Sequence, residues 1–113
     1  MDRDQLEKMT KEYQLLQDQL QSLAMQKEQF SAQKEDYKQA LAEIEKTTGK
    51  IYLAVGGAMV DVNKETALKD VKDRQESAEM RLGIANKQYD ELSKREQILR
   101  SGITAALKEL KQA

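Results

Sequence analysis

The stretch Lys50-Ile51-Tyr52-Leu53-Ala54-Val55-Gly56-Gly57-Ala58-Met59-Val60-Asp61-Val62 decides the fold. It is rich in β-branched residues, has a glycine pair at its centre, and reads as two short strands, at about 51–55 and 58–62, joined by a tight turn. Alternation puts Ile51, Leu53 and Val55 on one face and Tyr52 and Ala54 on the other, so both faces are apolar. A lone two-stranded hairpin is marginal in water, and one apolar on both faces presents an aggregation-prone edge. It is therefore expected to pair with something. Folding back as a cap on its own chain is one solution, but the helices predicted on either side are narrow and cover little. A sheet shared between subunits is the favoured one.

Upstream of the hairpin, apolar positions step by three and four through Leu6, Met9, Tyr13, Leu16, Leu20, Leu23, Phe30, Tyr37, Leu41 and Ile44, interrupted only by Lys27 and Lys34. With Leu6 at heptad position a and Met9 at d, about six heptads run without Pro or Gly, a single helix of roughly 60 Å. The Thr47-Thr48-Gly49 cluster ends it. Downstream, Asn63 is a candidate cap for a second helix of similar length. Its seam is Leu68, Val71, Gln75, Ala78, Leu82, Ala85, Tyr89, Leu92, Glu96, Leu99, Ile103, Ala106 and Leu110, with Gly83 and Gly102 off the seam.

The fold class that follows is mainly α: a long antiparallel two-helix coiled coil with a single β-hairpin at the helix–helix connection. The chain divides into a helix at 1–47, a hairpin segment at 50–62 and a helix at 64–113, together one domain. Matching a to d positions across the pair puts Ile44 opposite Leu68, Leu41 opposite Val71, Phe30 opposite Leu82, Leu20 opposite Leu92 and Met9 opposite Ile103. Lys34 then faces Ala78 and Lys27 faces Ala85, a large-to-small match in which the lysine stems cross the partner helix and specify register. Residues 1–46 are net acidic and 64–113 net basic, so the helices attract weakly.

Composition removes most chemistry. The 113 residues carry 19 basic and 20 acidic side chains, 4% aromatics, and no Pro, Cys, His or Trp. Without Cys or His there is no thiolate nucleophile, imidazole base or soft-metal site, and no cofactor is expected. Asp and Glu follow helical exposure rather than an apolar pocket that would tune them, so an enzyme is not expected. A net charge of -1 without a dense basic block lacks the footprint of nucleic-acid binding. The longest apolar run, 51–60, is about half the roughly 20 residues of a membrane helix, and the amino terminus lacks signal-peptide character. A soluble, cytoplasmic chain is expected.

Ile51-Tyr52-x-x-Val55-Gly56-x-x-x-Val60, followed by Lys64-Glu65 and Ala67, resembles the signature segment of β-class prefoldin subunits, and the order of long helix, single hairpin, long helix agrees over the whole chain. Leu53 stands where that family often has Lys, and the Gly56-Gly57 pair is closer to some eukaryotic β-class members than to typical archaeal ones. The resemblance implies an ATP-independent chaperone in which two α-class and four β-class subunits join their hairpins into a barrel platform. From it hang six coiled coils whose tips hold non-native polypeptides and pass them to a group II chaperonin. Carried onto this chain, the oligomerisation residues are Ile51, Tyr52, Leu53, Val55, Gly56, Met59, Val60 and Val62. The client-binding tip falls in the first and last turns.

The residues support a tip independently of the resemblance. Leu15, Met25, Ile84, Ile98 and Leu107 are apolar but off the seam, and Leu15, Ile98 and Leu107 lie toward the chain ends. With seam residues expected to fray at the ends, Leu6, Met9, Ile103 and Leu110, they form an adaptable surface of the kind a promiscuous binder needs. Charged residues nearby, such as Lys94, Arg95, Arg100, Lys108, Glu109 and Lys111, read as a solvated face. The rival reading is a coiled-coil scaffold or filament subunit assembling through the same hairpin.

Overall fold

The computed structural model describes residues 2–112. Helix α1 (Arg3–Lys46) is followed by strands β1 (Ile51–Val55) and β2 (Ala58–Val62) and by helix α2 (Lys64–Gln112). Each helix end has an identifiable cause. At the start of α1, Asp2 Oδ1 accepts the N–H of Gln5 at 2.8 Å while Gln5 Oε1 accepts the N–H of Asp2 at 3.3 Å, a reciprocal capping box. At its end, the Thr47 N–H closes onto the Ile44 carbonyl at 3.2 Å and the Thr47 hydroxyl donates to the Glu43 carbonyl at 2.8 Å. Asn63 caps α2 as the sequence predicts, its Oδ1 accepting the N–H of Thr66 at 2.8 Å.

Lys64 ties the two helices together. Its ammonium donates to the Glu45 carbonyl at 2.6 Å and lies 3.5 Å from the Thr47 carbonyl, placing a cation on the carbonyls that α1 leaves unpaired at its negative end.

The hairpin has the strand limits read from the sequence. Its register pairs Ile51 with Val62, Tyr52 with Asp61, Leu53 with Val60, Ala54 with Met59 and Val55 with Ala58. Gly56, at φ 59°, holds the left-handed conformation required of the first turn residue.

The chain packs as two compact units, one made of Glu28–Gly83 and the other of the chain up to Lys27 with the chain from Ile84 onward. In the first, Ala67, Val71 and Ala78 are buried and Phe30, Tyr37, Leu41, Ile44, Leu68 and Leu82 half-buried. In the second, Leu16, Leu23, Ala85, Ala106 and one charged residue, Glu96, are buried. The helices run antiparallel within each unit: Leu41 and Glu45 share a groove with Leu68 and Lys72 in one, and in the other Gln17 meets Glu96 while Met9 meets Gly102. These contacts fall at or next to the predicted partners.

Two details go beyond the expectation. Lys27 does not stop at Ala85. Its four-carbon stem carries the ammonium to 4.2 Å from the centre of the Tyr89 ring, where the π-face attracts the charge. Gly102, at a g position beside the seam, meets a seam side chain all the same: a Cβ there would lie 3.0 Å from Met9 Cε, so the missing side chain makes room for Met9.

Candidate functional site

Two surfaces remain apolar after the helices have closed their seam. On the hairpin, the register gathers Ile51, Leu53 and Val55 with Ala58, Val60 and Val62 on one face, six apolar side chains out of six. Ile51, Leu53 and Val62 are half-buried within their own unit, whereas Val55 is 59% and Val60 44% exposed. The other face carries Tyr52, Ala54 and Met59 beside the carboxylate of Asp61, with Tyr52 and Met59 in solvent. The predicted oligomerisation residues are thus divided: Ile51, Leu53, Val55, Val60 and Val62 share one face, Tyr52 and Met59 the other, and Gly56 makes the turn. Asp61 makes the two faces unequal, a distinction that alternation within β1 alone does not reveal.

The second surface lies in the unit that holds both chain ends. Leu6 and Leu110 line one groove with Arg3, Glu7, Thr10 and Lys11. Ile98 lines a different one with Glu12, Leu16, Arg95 and Leu99. In heptad terms Arg3 and Thr10 are e positions while Glu12 and Arg95 are g positions, so the grooves open on opposite flanks of the helix pair. Leu15 and Ile98, both at c, stand solvent-exposed on the g flank, and Leu107 at e is exposed on the flank of Leu6 and Leu110. Met9 and Ile103 are half-buried in the seam. Of the seven predicted client residues, Met9 and Ile103 thus sit in the packed seam, and the other five divide between two apolar patches with charged rims on its two flanks.

Sequence reasoning missed two features here. Met80 is 63% exposed, at an f position that an off-seam search could have found. A polar cluster also crosses the seam: Gln17 Nε2 donates to the Tyr13 hydroxyl at 2.8 Å and lies 3.5 Å from Glu96 Oε1, which Arg100 Nε approaches to 3.7 Å. Its signal was Glu96 at a seam position. Among the described residues no cluster of three or more His, Cys, Asp or Glu is placed to hold a metal ion, and no helix is long and apolar enough to cross a membrane.

The family model described as "Prefoldin subunit" matches residues 7–110. The prefoldin subunit beta of Pyrococcus furiosus is 36% identical over 106 residues, covering 92% of this chain and 91% of that protein. That of Methanosarcina acetivorans is 34% identical over 105 residues, covering 91% and 90%. Among solved structures, the prefoldin beta subunit from Thermococcus strain KS-1 superposes with a TM-score of 0.83 at 30% identity, covering 91% of this chain and 92% of that one. The beta2 subunit from the same strain, at 17% identity and a TM-score of 0.71, shares the fold.

Proposed function

The chain belongs to the prefoldin family of chaperone subunits, and we propose that it acts as a β-class subunit that holds non-native polypeptides without ATP and delivers them to a group II chaperonin. Membership implies assembly with other prefoldin subunits; the finer reading is a hetero-hexamer of α-class and further β-class chains, working in the cytoplasm. The match over residues 7–110 supports treating the chain as one domain. The hairpin supplies the assembly surface, because Val55 and Val60 extend an apolar face that two strands cannot bury by themselves.

The observation that carries the holding role is the set of apolar side chains left exposed, Leu15, Ile98 and Leu107 beside the seam and Leu110 at its end. Small patches of this kind suit weak, sequence-tolerant contact with an unfolded chain, and several copies around one assembly add those contacts by multivalency. Replacing Leu15, Ile98, Leu107 and Leu110 together by Ser tests the reading. Suppression of aggregation of a urea-unfolded protein, measured by light scattering without nucleotide, is expected to fall severalfold while helical circular dichroism and assembly are retained. Full suppression by the serine variant would reject it. Concentration-dependent filament growth without holding activity would favour the scaffold instead.

A further inference from the structure

An open polar groove runs along one flank of the unit that holds both chain ends. Gln17 and Gln21 of α1 form one wall, and Ser93, Glu96 and Arg100 of α2 the other, over a floor of Leu20 and Tyr89. Gln17, Ser93 and Arg100 are heptad e positions, so the groove opens on the flank that also carries Leu107, Leu6 and Leu110. On the opposite flank the groove of Leu16, Ile98 and Leu99 is mostly apolar.

Charge decides what such a groove can take. Glu96 brings one negative charge and Arg100 one positive, with Arg100 Nε 3.7 Å from Glu96 Oε1, and the Lys27 ammonium is turned onto the Tyr89 ring. A free cation meets the guanidinium and a free anion meets the carboxylate, so the groove suits a neutral ligand that both donates and accepts. Gln17 Nε2 and Arg100 Nε both approach Oε1 of Glu96, which leaves Oε2 to accept from a ligand. Gln17 directs its amide N–H groups to the Tyr13 hydroxyl and to Glu96, so its own Oε1 is a second acceptor. On the donor side stand the exposed amide of Gln21 and the guanidinium of Arg100, whose side chain is 60% exposed.

An amide is the neutral group that donates and accepts at once, and a polypeptide backbone repeats it at every residue. The walls span about 6–10 Å of helix, room for two or three residues of extended chain. Leu107 lies one heptad, about 10 Å, beyond Arg100 on the same row of α2, so a segment that seats an apolar side chain there reaches the groove about three residues later.

We propose that this groove holds the backbone of an extended polypeptide segment, whose N–H groups donate to Glu96 and Gln17 and whose carbonyls accept from Gln21 and Arg100. The proposal rests on the chaperone reading above and gives it a second kind of contact. A folded protein has its backbone amides paired and presents few to the groove, whereas a non-native chain presents them whatever its side chains.

The test uses the assembled protein and a fluorescently labelled, unfolded peptide without charged side chains, its binding read by anisotropy. The peptide is made twice, once all-amide and once with alternate amides replaced by esters, which removes N–H donors and keeps the side chains. The wild-type assembly is expected to bind the ester form about tenfold or more weakly, because hydrogen bonds to a carboxylate are lost. Glu96→Gln keeps the shape of the site; it should weaken binding of the all-amide peptide and shrink the ester penalty severalfold. Gln21→Ala, on the exposed face, should weaken the all-amide peptide with helical circular dichroism unchanged. Equal binding of amide and ester by the wild type overturns the proposal, and so does an ester penalty of the same size in Glu96→Gln. If binding requires lysines added to the peptide, Glu96 reads a cation instead and the proposal falls. No binding of any peptide by the wild type rejects the holding reading itself, whereas binding without an ester penalty rejects the groove alone.

Discussion

Glycine does opposite things at two places in this chain. Gly56 sits at φ 59°, where an L side chain crowds the following carbonyl, so Gly56→Ala is expected to destabilise by about 1–2 kcal/mol although nothing stands within 4 Å of the added Cβ. Gly83 lies inside α2 with equally open space and no unusual φ, so Gly83→Ala is expected to stabilise by about 1 kcal/mol through helix propensity. Thermal unfolding of both variants checks the contrast; equal signs would mean that φ does not govern the difference. The role of Gly56 was legible from its place in the glycine pair between two β-branched runs. The role of Gly102 was not, because heptad counting gives directions and not the reach of a flexible side chain such as Met9.

Elements in this protein are defined by their ends as much as by their seams. α1 and α2 have sparse apolar stripes, so caps matter more than in a thick core. Asn63→Ala removes the acceptor for the Thr66 N–H and is expected to cost about 1 kcal/mol, measured by urea unfolding, whereas Asn63→Ser retains most of it. No loss in the alanine variant would mean that water caps α2 equally well. Asn63 could be read in advance because its acceptor lies within one turn of the group it caps. The Lys64 contact with Glu45 could not, since it joins residues nineteen apart and depends on how the chain returns from the hairpin. Seam positions were similarly local. From Leu6 to Ile44 and from Leu68 to Ala106, every seam residue named in advance is buried or half-buried, because a heptad repeat leaves a helix one direction in which to hide its apolar side. Leu110 is the exception, 40% exposed near the end of α2, where the partner helix runs out.

At the scale of the whole molecule, the apolar residues go to three destinations: a closed seam, a hairpin face, and two patches in the unit holding the chain ends. The hairpin face predicts how assembly fails. Val55→Asp with Val60→Asp places two charges on the face shared with Ile51, Leu53 and Val62, at positions that are exposed in the single chain. Helical circular dichroism should be retained, while native mass spectrometry with an α-class partner should show free chains, since burying unpaired carboxylates in a shared sheet costs several kcal/mol. Intact assemblies from that variant would mean that the opposite face, with Tyr52 and Met59, makes the joint.

The sequence by itself determined the elements, their limits and the seam, because heptad spacing, a glycine pair and a capping asparagine each act within a few residues along the chain. It also determined the family, through the hairpin segment and the order of elements around it. Only the tertiary structure decided what depends on two distant segments meeting. It carried Lys27 on to Tyr89, seated Met9 against Gly102, split the exposed apolar residues between two flanks, and brought Gln17 and Arg100 to the carboxylate of Glu96. The physical reason is reach. A heptad assigns a direction to each side chain, but how far a lysine, methionine or glutamate extends, and what it finds there, is set by the surface of the facing helix.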